Sequence, residues 1–149
     1  MFLERMSDEH KKELIQEIEK LDEYKGKKVE IKIITEGMAT FSVDGERKYV
    51  ISDFDVGSYN KDLYLAYTKY MLNTYKEMYM NGLSNFINNR LLVDAHNLQV
   101  NLESGRSTNS CIKDISFHSD VLNTMNNEYK KIMEADNSKQ SEQEQDLQQ

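Results

Sequence analysis

The chain has 149 residues, one cysteine, three histidines and a net charge of −7. A lone Cys111 excludes an internal disulfide, and with His10, His96 and His118 scattered along the chain a structural zinc site is not expected. The acidic balance disfavours direct nucleic-acid binding through a general basic surface, and no apolar run approaches the roughly 18 residues of a bilayer span.

This length suits one domain, and a chain of this size buries enough surface to fold without disulfides or metal. We assign residues 1–134 to a single α+β domain. Residues 135–149 are rich in Gln, Ser and Glu, have little to bury, and read as a disordered polar tail. In that segment Lys139 stands against Asp136, Glu142, Glu144 and Asp146, which leaves −4 of the net charge on the domain. The opening residues lack the apolar core of a signal peptide. With a single thiol in the chain, a reducing cytoplasm is the expected location. Pro and Trp are absent, while Asn, Lys, Ile and Tyr are abundant, a bias associated with AT-rich genomes such as those of low-GC bacteria and their phages.

Residues 7–25 read as an amphipathic helix. Ser7 or Asp8 caps it, Asp8 and Glu9 suit the positive end of its dipole, and Leu14, Ile18 and Leu21 recur at helical spacing. Gly26 supplies the stop.

Residues 28–51 read as a three-stranded antiparallel meander. Val29, Ile31, Ile33, Ala39, Phe41, Val43, Tyr49 and Ile51 are all odd-numbered. Opposite residues share a face of a sheet, so odd must pair with odd. Three-residue loops satisfy this, with Gly third in the left-handed position: Thr35-Glu36-Gly37 and Val43-Asp44-Gly45. A two-residue Asp44-Gly45 loop would pair odd with even and split the apolar face. The expected inner rows are Ile33–Ala39–Tyr49 and Ile31–Phe41–Arg47. The same register aligns Ile34, Met38 and Val50 in one apolar row on the otherwise polar outer face. Either a later segment of the chain or a partner should cover it.

Residues 52–57 form a turn, and a long central helix follows over about 59–81. It carries Tyr59, Tyr64, Tyr67, Tyr70, Tyr75 and Tyr79, and its apolar arc covers more than half its circumference, wider than that of an ordinary surface helix. Asn81-Gly82 offers a cap or kink. A short helix is expected over 84–93. Leu98, Val100 and Leu102 alternate, and Ile112, Ile115 and Phe117 recur across the polar loop 104–110, which suggests a second short hairpin. Residues 119–134 return to helix.

Sequence patterns point to no convergent catalytic set. Glu30-Ile31-Lys32 matches the strand-borne Glu-x-Lys of metal-dependent nucleases, but the acid expected on a preceding strand has no source here. Asp53, Asp55 and Asp62 fit capping chemistry better than a calcium loop. Cys111 and His118 are seven residues apart with nothing to complete a triad. No cofactor or metal is expected.

Two binding readings remain. Tyr64, Tyr67, Tyr75 and Tyr79, beside Ile34, Met38 and Val50, form a candidate surface for a macromolecular partner, since Tyr is enriched at interfaces. That partner could be a protein, for instance a basic nucleic-acid-binding enzyme, or a second copy in a homodimer. The phage-like composition suggests a specific version: an inhibitor of a host defence enzyme such as a CRISPR nuclease. Alternatively, the tyrosines with Arg90, Arg106, Ser107 and Thr108 bind a small molecule or nucleotide.

Overall fold

The computed structural model describes the backbone of residues 2–148 and the side chains of residues 2–138. It forms an α+β fold of N-terminal helices, a three-stranded antiparallel sheet and two long helices. The chain divides into two compact units, Met1–Tyr70 and Met71–Gln149, and each is described by itself.

The first unit opens with the short helix α1 (Phe2–Arg5) and helix α2 (Asp8–Glu19). Ser7 caps α2, its Oγ accepting from the His10 N–H at 3.1 Å, which satisfies one of the orphan donors of a helix start. The helix ends six residues earlier than its apolar pattern suggests. A 3-10 turn at Asp22–Tyr24 replaces its last part and carries Tyr24 into the core.

Strands β1 (Val29–Thr35), β2 (Met38–Val43) and β3 (Glu46–Ser52) follow in the order β1-β2-β3. Val29, Ile31, Ala39, Phe41, Val43 and Ile51 are buried, as are Leu14 and Ile18 of α2, which packs on β1. The β1–β2 register is the expected one as far as Ile33, which faces Ala39, with Ile31 opposite Phe41. Beyond it a shift sets Thr35 opposite Met38, so the loop is the two residues Glu36-Gly37 and not the expected three.

The β2–β3 register differs. Val43 pairs with Glu46 around a two-residue loop, and Asp44 and Gly45 both have positive φ, at 51° and 79°, as a type I′ turn requires. Such a turn alone would set odd against even. A bulge between Phe41 and Ser42 restores the parity, so that Phe41 faces Tyr49 and Ala39 faces Ile51. The inner rows are therefore Ile33–Ala39–Ile51 and Ile31–Phe41–Tyr49, and the rings of Phe41 and Tyr49 stack at 6.1 Å.

Helix α3 spans Lys61–Glu103 and α4 spans Asn109–Gln148. Asn60 caps α3: its Oδ1 accepts from the Leu63 N–H at 3.1 Å and its carbonyl from the Tyr64 N–H at 3.0 Å. The helix belongs to the first unit as far as Tyr70 and to the second from Met71. Its one non-helical residue is Lys76, at φ 52° and ψ −126°; Asn81-Gly82, the expected kink, lies in unbroken helix.

The second unit corrects the expected hairpin of strands over 97–103 and 111–117. Both segments are helical. The alternation of Leu98, Val100 and Leu102 is accidental: Leu98 is half-buried, while Val100 and Leu102 are exposed. The operative pattern is Ile87, Leu91, Asp94, Leu98, Asn101, spaced four and three. It escapes notice in the sequence because two of its five members are polar. Residues 135–138, assigned above to the polar tail, continue α4. The remainder of that segment, 139–149, lies outside the residues whose side chains are described.

Candidate functional site

The tyrosines of α3 are placed by the turn that leaves β3. The hydroxyl of Tyr67 donates to the Ser52 carbonyl at 2.8 Å and lies 3.3 Å from that of Asp53; the hydroxyl of Tyr64 donates to the Phe54 carbonyl. Tyr70 reaches Glu13 of α2 at 2.9 Å. Buried phenols need such partners, and for Tyr64 and Tyr67 they are backbone carbonyls of residues 52–54. Tyr64, Tyr67 and Tyr79 are fully buried. They are interior side chains and offer no contact surface; Tyr75 is half-buried.

Burial also sets the chemistry of Tyr24. Its phenol is pushed up to about 12, by desolvation first and then by the Glu23 carboxylate and Tyr49, against the opposing pull of the Asn60 side chain. The Asn60 amide donates to this phenol oxygen at 3.4 Å.

On the outer face of the sheet, Ile34 is 45% and Met38 42% exposed. Val50 is half-buried and does not complete their row. The irregularity at the end of β1 sets Met38 opposite Thr35, and the β3 bulge sets Val50 opposite Thr40. The segment after β3 folds back here: Ser52 bridges to Asp55, and the backbone at Gly57 lies against the Val50 carbonyl. Part of the expected row is thus covered by the chain itself, and Ile34 and Met38 remain open.

The loop with Arg106, Ser107 and Thr108 is a helix-to-helix connector. The Gly105 N–H donates to the Leu102 carbonyl at 3.3 Å and the Arg106 N–H to the Asn101 carbonyl at 2.9 Å. With Gly105 at φ 68°, this is the Schellman arrangement that closes a helix C-terminus. Thr108 precedes α4 and accepts its first helical bond, from Ile112. Ser107 accepts the Asn109 N–H through Oγ and the Asn101 side chain through its carbonyl. The polar residues of this loop are therefore engaged in turning the chain. Arg106 and Arg90 are exposed and sixteen residues apart in sequence.

The feature that the sequence reading missed is the seam between α3 and α4. The Asn101 amide contacts Cys111 Sγ at 3.3 Å, Asp94 Oδ2 meets His118 Nδ1 at 2.7 Å, and Lys76 Nζ meets Asp136 Oδ2 at 3.2 Å. From the first pair to the second, each helix advances seven residues; from the second to the third, eighteen. Equal steps in opposite directions define an antiparallel hairpin of constant register, roughly 37 Å long at 1.5 Å per residue. The seam of α4 follows the alternating four-three spacing of a coiled coil over Cys111, Ile115, His118, Leu122, Met125, Tyr129 and Ile132. That spacing, with Asp94 and Asn101 one heptad apart on α3, was the available signal.

Asp94 and His118 are 7% and 6% exposed. An N–H at Nδ1 donating to the carboxylate satisfies both groups, which is the condition for burying them. Outside the seam stand Leu92, Val93, Val100, Leu102 and Ile112, all exposed, Leu92 at 69%.

Among the described residues no cluster of three or more His, Cys, Asp or Glu side chains could hold a metal ion, and no helix is long and apolar enough to cross a membrane. No family model, curated protein or solved structure matches the chain.

Proposed function

We propose that this protein is a non-catalytic binding module that acts by occupying a macromolecular partner. The observation that carries this reading is the set of large aliphatic side chains standing in water. Ile34 and Met38 lie on the outer sheet face; Leu92, Val93, Leu102 and Ile112 lie on the helical hairpin. Contiguous aliphatic exposure marks interaction surfaces more often than isolated exposed residues do, and Ile34 and Met38 are neighbours at the β1–β2 loop. A protein partner is the reading favoured by the acidic net charge, which opposes nucleic acid. A narrower version makes the partner a host defence enzyme, such as a CRISPR nuclease. It rests on the AT-rich character of the composition.

Two double variants test the module. Ile34→Glu with Met38→Glu alters the sheet face; Leu92→Glu with Leu102→Glu alters the hairpin. All four sites are exposed, so both variants should keep the native circular dichroism. A partner captured by the wild-type chain should be lost with one of them. Retention by both, or no capture across a range of salt, overturns the reading. Light scattering of the same variants reads out the homodimer. Target-DNA cleavage assayed with and without the chain reads out the nuclease version.

A further inference from the structure

We propose that the tip of the α3–α4 hairpin, residues 91–118, opens as a unit of its own while the rest of the hairpin stays closed. The inference concerns the chain alone and does not depend on the binding reading above.

Its basis is an inversion of polarity along the seam. In the part of the hairpin away from the loop, the buried side chains are Tyr79, Met80, Leu83 and Ile87 on α3 and Val121 and Met125 on α4. All are apolar or aromatic. Toward the loop from Ile87 and Val121, the buried side chains are Asp94, Cys111 and His118. Leu91, Leu98 and Ile115 are only half-buried there, while Leu92, Val93, Val100, Leu102 and Ile112 face solvent. The tip therefore holds its polar groups inside and much of its aliphatic surface outside.

This arrangement fixes register more than it stabilises. A buried acid–base pair gains attraction but loses hydration, and the two nearly cancel. Water offers the same groups new partners once the helices part. The base of the hairpin has no such compensation, because parting it exposes apolar surface. Regions with few buried apolar contacts are those that open below the global unfolding transition. The Schellman closure at Gly105 and the bonds from Asn101 to Ser107 and Cys111 hold the loop locally, so the two arms of the tip separate and re-form together.

Native-state hydrogen exchange on the full chain tests this. Amides of 91–103 and 112–118 should exchange with one shared protection, at least about a hundredfold lower than amides of 79–87 and 121–132. Two variants report on the cause. Asp94→Leu combined with His118→Leu gives the tip an apolar seam and should raise its protection about tenfold while leaving the base unchanged. Asn101→Cys, oxidised to a disulfide with Cys111, should slow tip exchange, and reduction should reverse it. A single protection shared by tip and base in the wild-type chain overturns the proposal. So does a disulfide-closed variant whose tip exchanges as fast as before.

Discussion

Gly57 and Val50 approach so closely that a Cβ at residue 57 would overlap the Val50 carbonyl oxygen. Gly57 also has φ 65°, where side chains are disfavoured. Gly57→Ala therefore combines a backbone clash with conformational strain and should cost about 2–4 kcal/mol. Gly26 is a matched control: its φ is 74°, but nothing lies within 4 Å of a Cβ there. Gly26→Ala should cost about 1–2 kcal/mol. Urea unfolding of both variants measures the difference, which isolates the close approach.

Tyr67 and Tyr70 lie on one helix with hydroxyls of unequal worth. The Tyr67 hydroxyl donates to backbone carbonyls in a buried setting, whereas Tyr70 meets the exposed carboxylate of Glu13. Tyr67→Phe leaves a buried acceptor short of a donor and should lower stability by about 1–2 kcal/mol. Tyr70→Phe should change it by less than about 0.5 kcal/mol. Equal losses in chemical denaturation would mean that the tyrosines do not anchor α3 to the turn.

Tyr24 gives the fold an alkaline limit. Its folded pKa of about 12 lies above the ordinary value near 10, so the native state favours the neutral phenol. The corresponding stability is fully present below about pH 10 and is lost as pH rises through the folded value of about 12. Melting curves should shift downward across that window, and Tyr24→Phe should flatten the dependence. An unchanged slope in the variant would assign the alkaline loss to other groups.

Lys76 carries positive φ inside α3, a conformation that favours glycine. Lys76→Gly relieves about 1–2 kcal/mol of strain and gives up a half-exposed ion pair with Asp136 worth less than about 1 kcal/mol. Its net effect should be neutral to stabilising, whereas Lys76→Ile should destabilise, since β-branched residues fit this region worst. Were residue 76 helical, the glycine variant would lose about 1 kcal/mol, so the sign of the effect decides the matter.

Asp94→Leu leaves His118 buried beside an apolar side chain and should cost about 1–3 kcal/mol. The Asp94→Leu, His118→Leu double variant should recover that loss and end somewhat more stable than the wild-type chain. A double-mutant cycle in urea should return a coupling of at least about 1 kcal/mol; additive losses would show that the two groups do not act as a pair.

Odd-numbered apolar residues were enough to read β1 against β2 from Val29 to Ile33, although the loop beyond is the two residues Glu36-Gly37 and not three. They could not separate a three-residue loop from a two-residue loop followed by a bulge, since both return odd residues to the inner face. Asp44 at positive φ is the element that chose between them, and an Asp-Gly sequence permits either. The tyrosines announced a helix broad enough to pack on several sides, yet the hydroxyl partners of Tyr64 and Tyr67 are carbonyls of residues 52–54, which no side-chain pattern reveals. The distal hairpin was misread for a third reason. Its seam residues Asp94, Asn101 and His118 are polar, while Val100, Leu102 and Ile112 point outward, so hydrophobicity reported the wrong period. Of the proposed contact residues, Ile34 and Met38 stand exposed, and Arg106, Ser107 and Thr108 serve a helix turn.

The bulge in β3 reaches beyond pairing. An outermost strand carries unsatisfied amide and carbonyl groups that invite further strands to add on. An extra residue twists that border and breaks its regular ladder, and Arg47 and Lys48 place two cations at the same point. On that side the sheet is guarded against growth into fibrils or strand-exchanged polymers. Deleting one residue of the bulge would straighten the border and raise the tendency to aggregate.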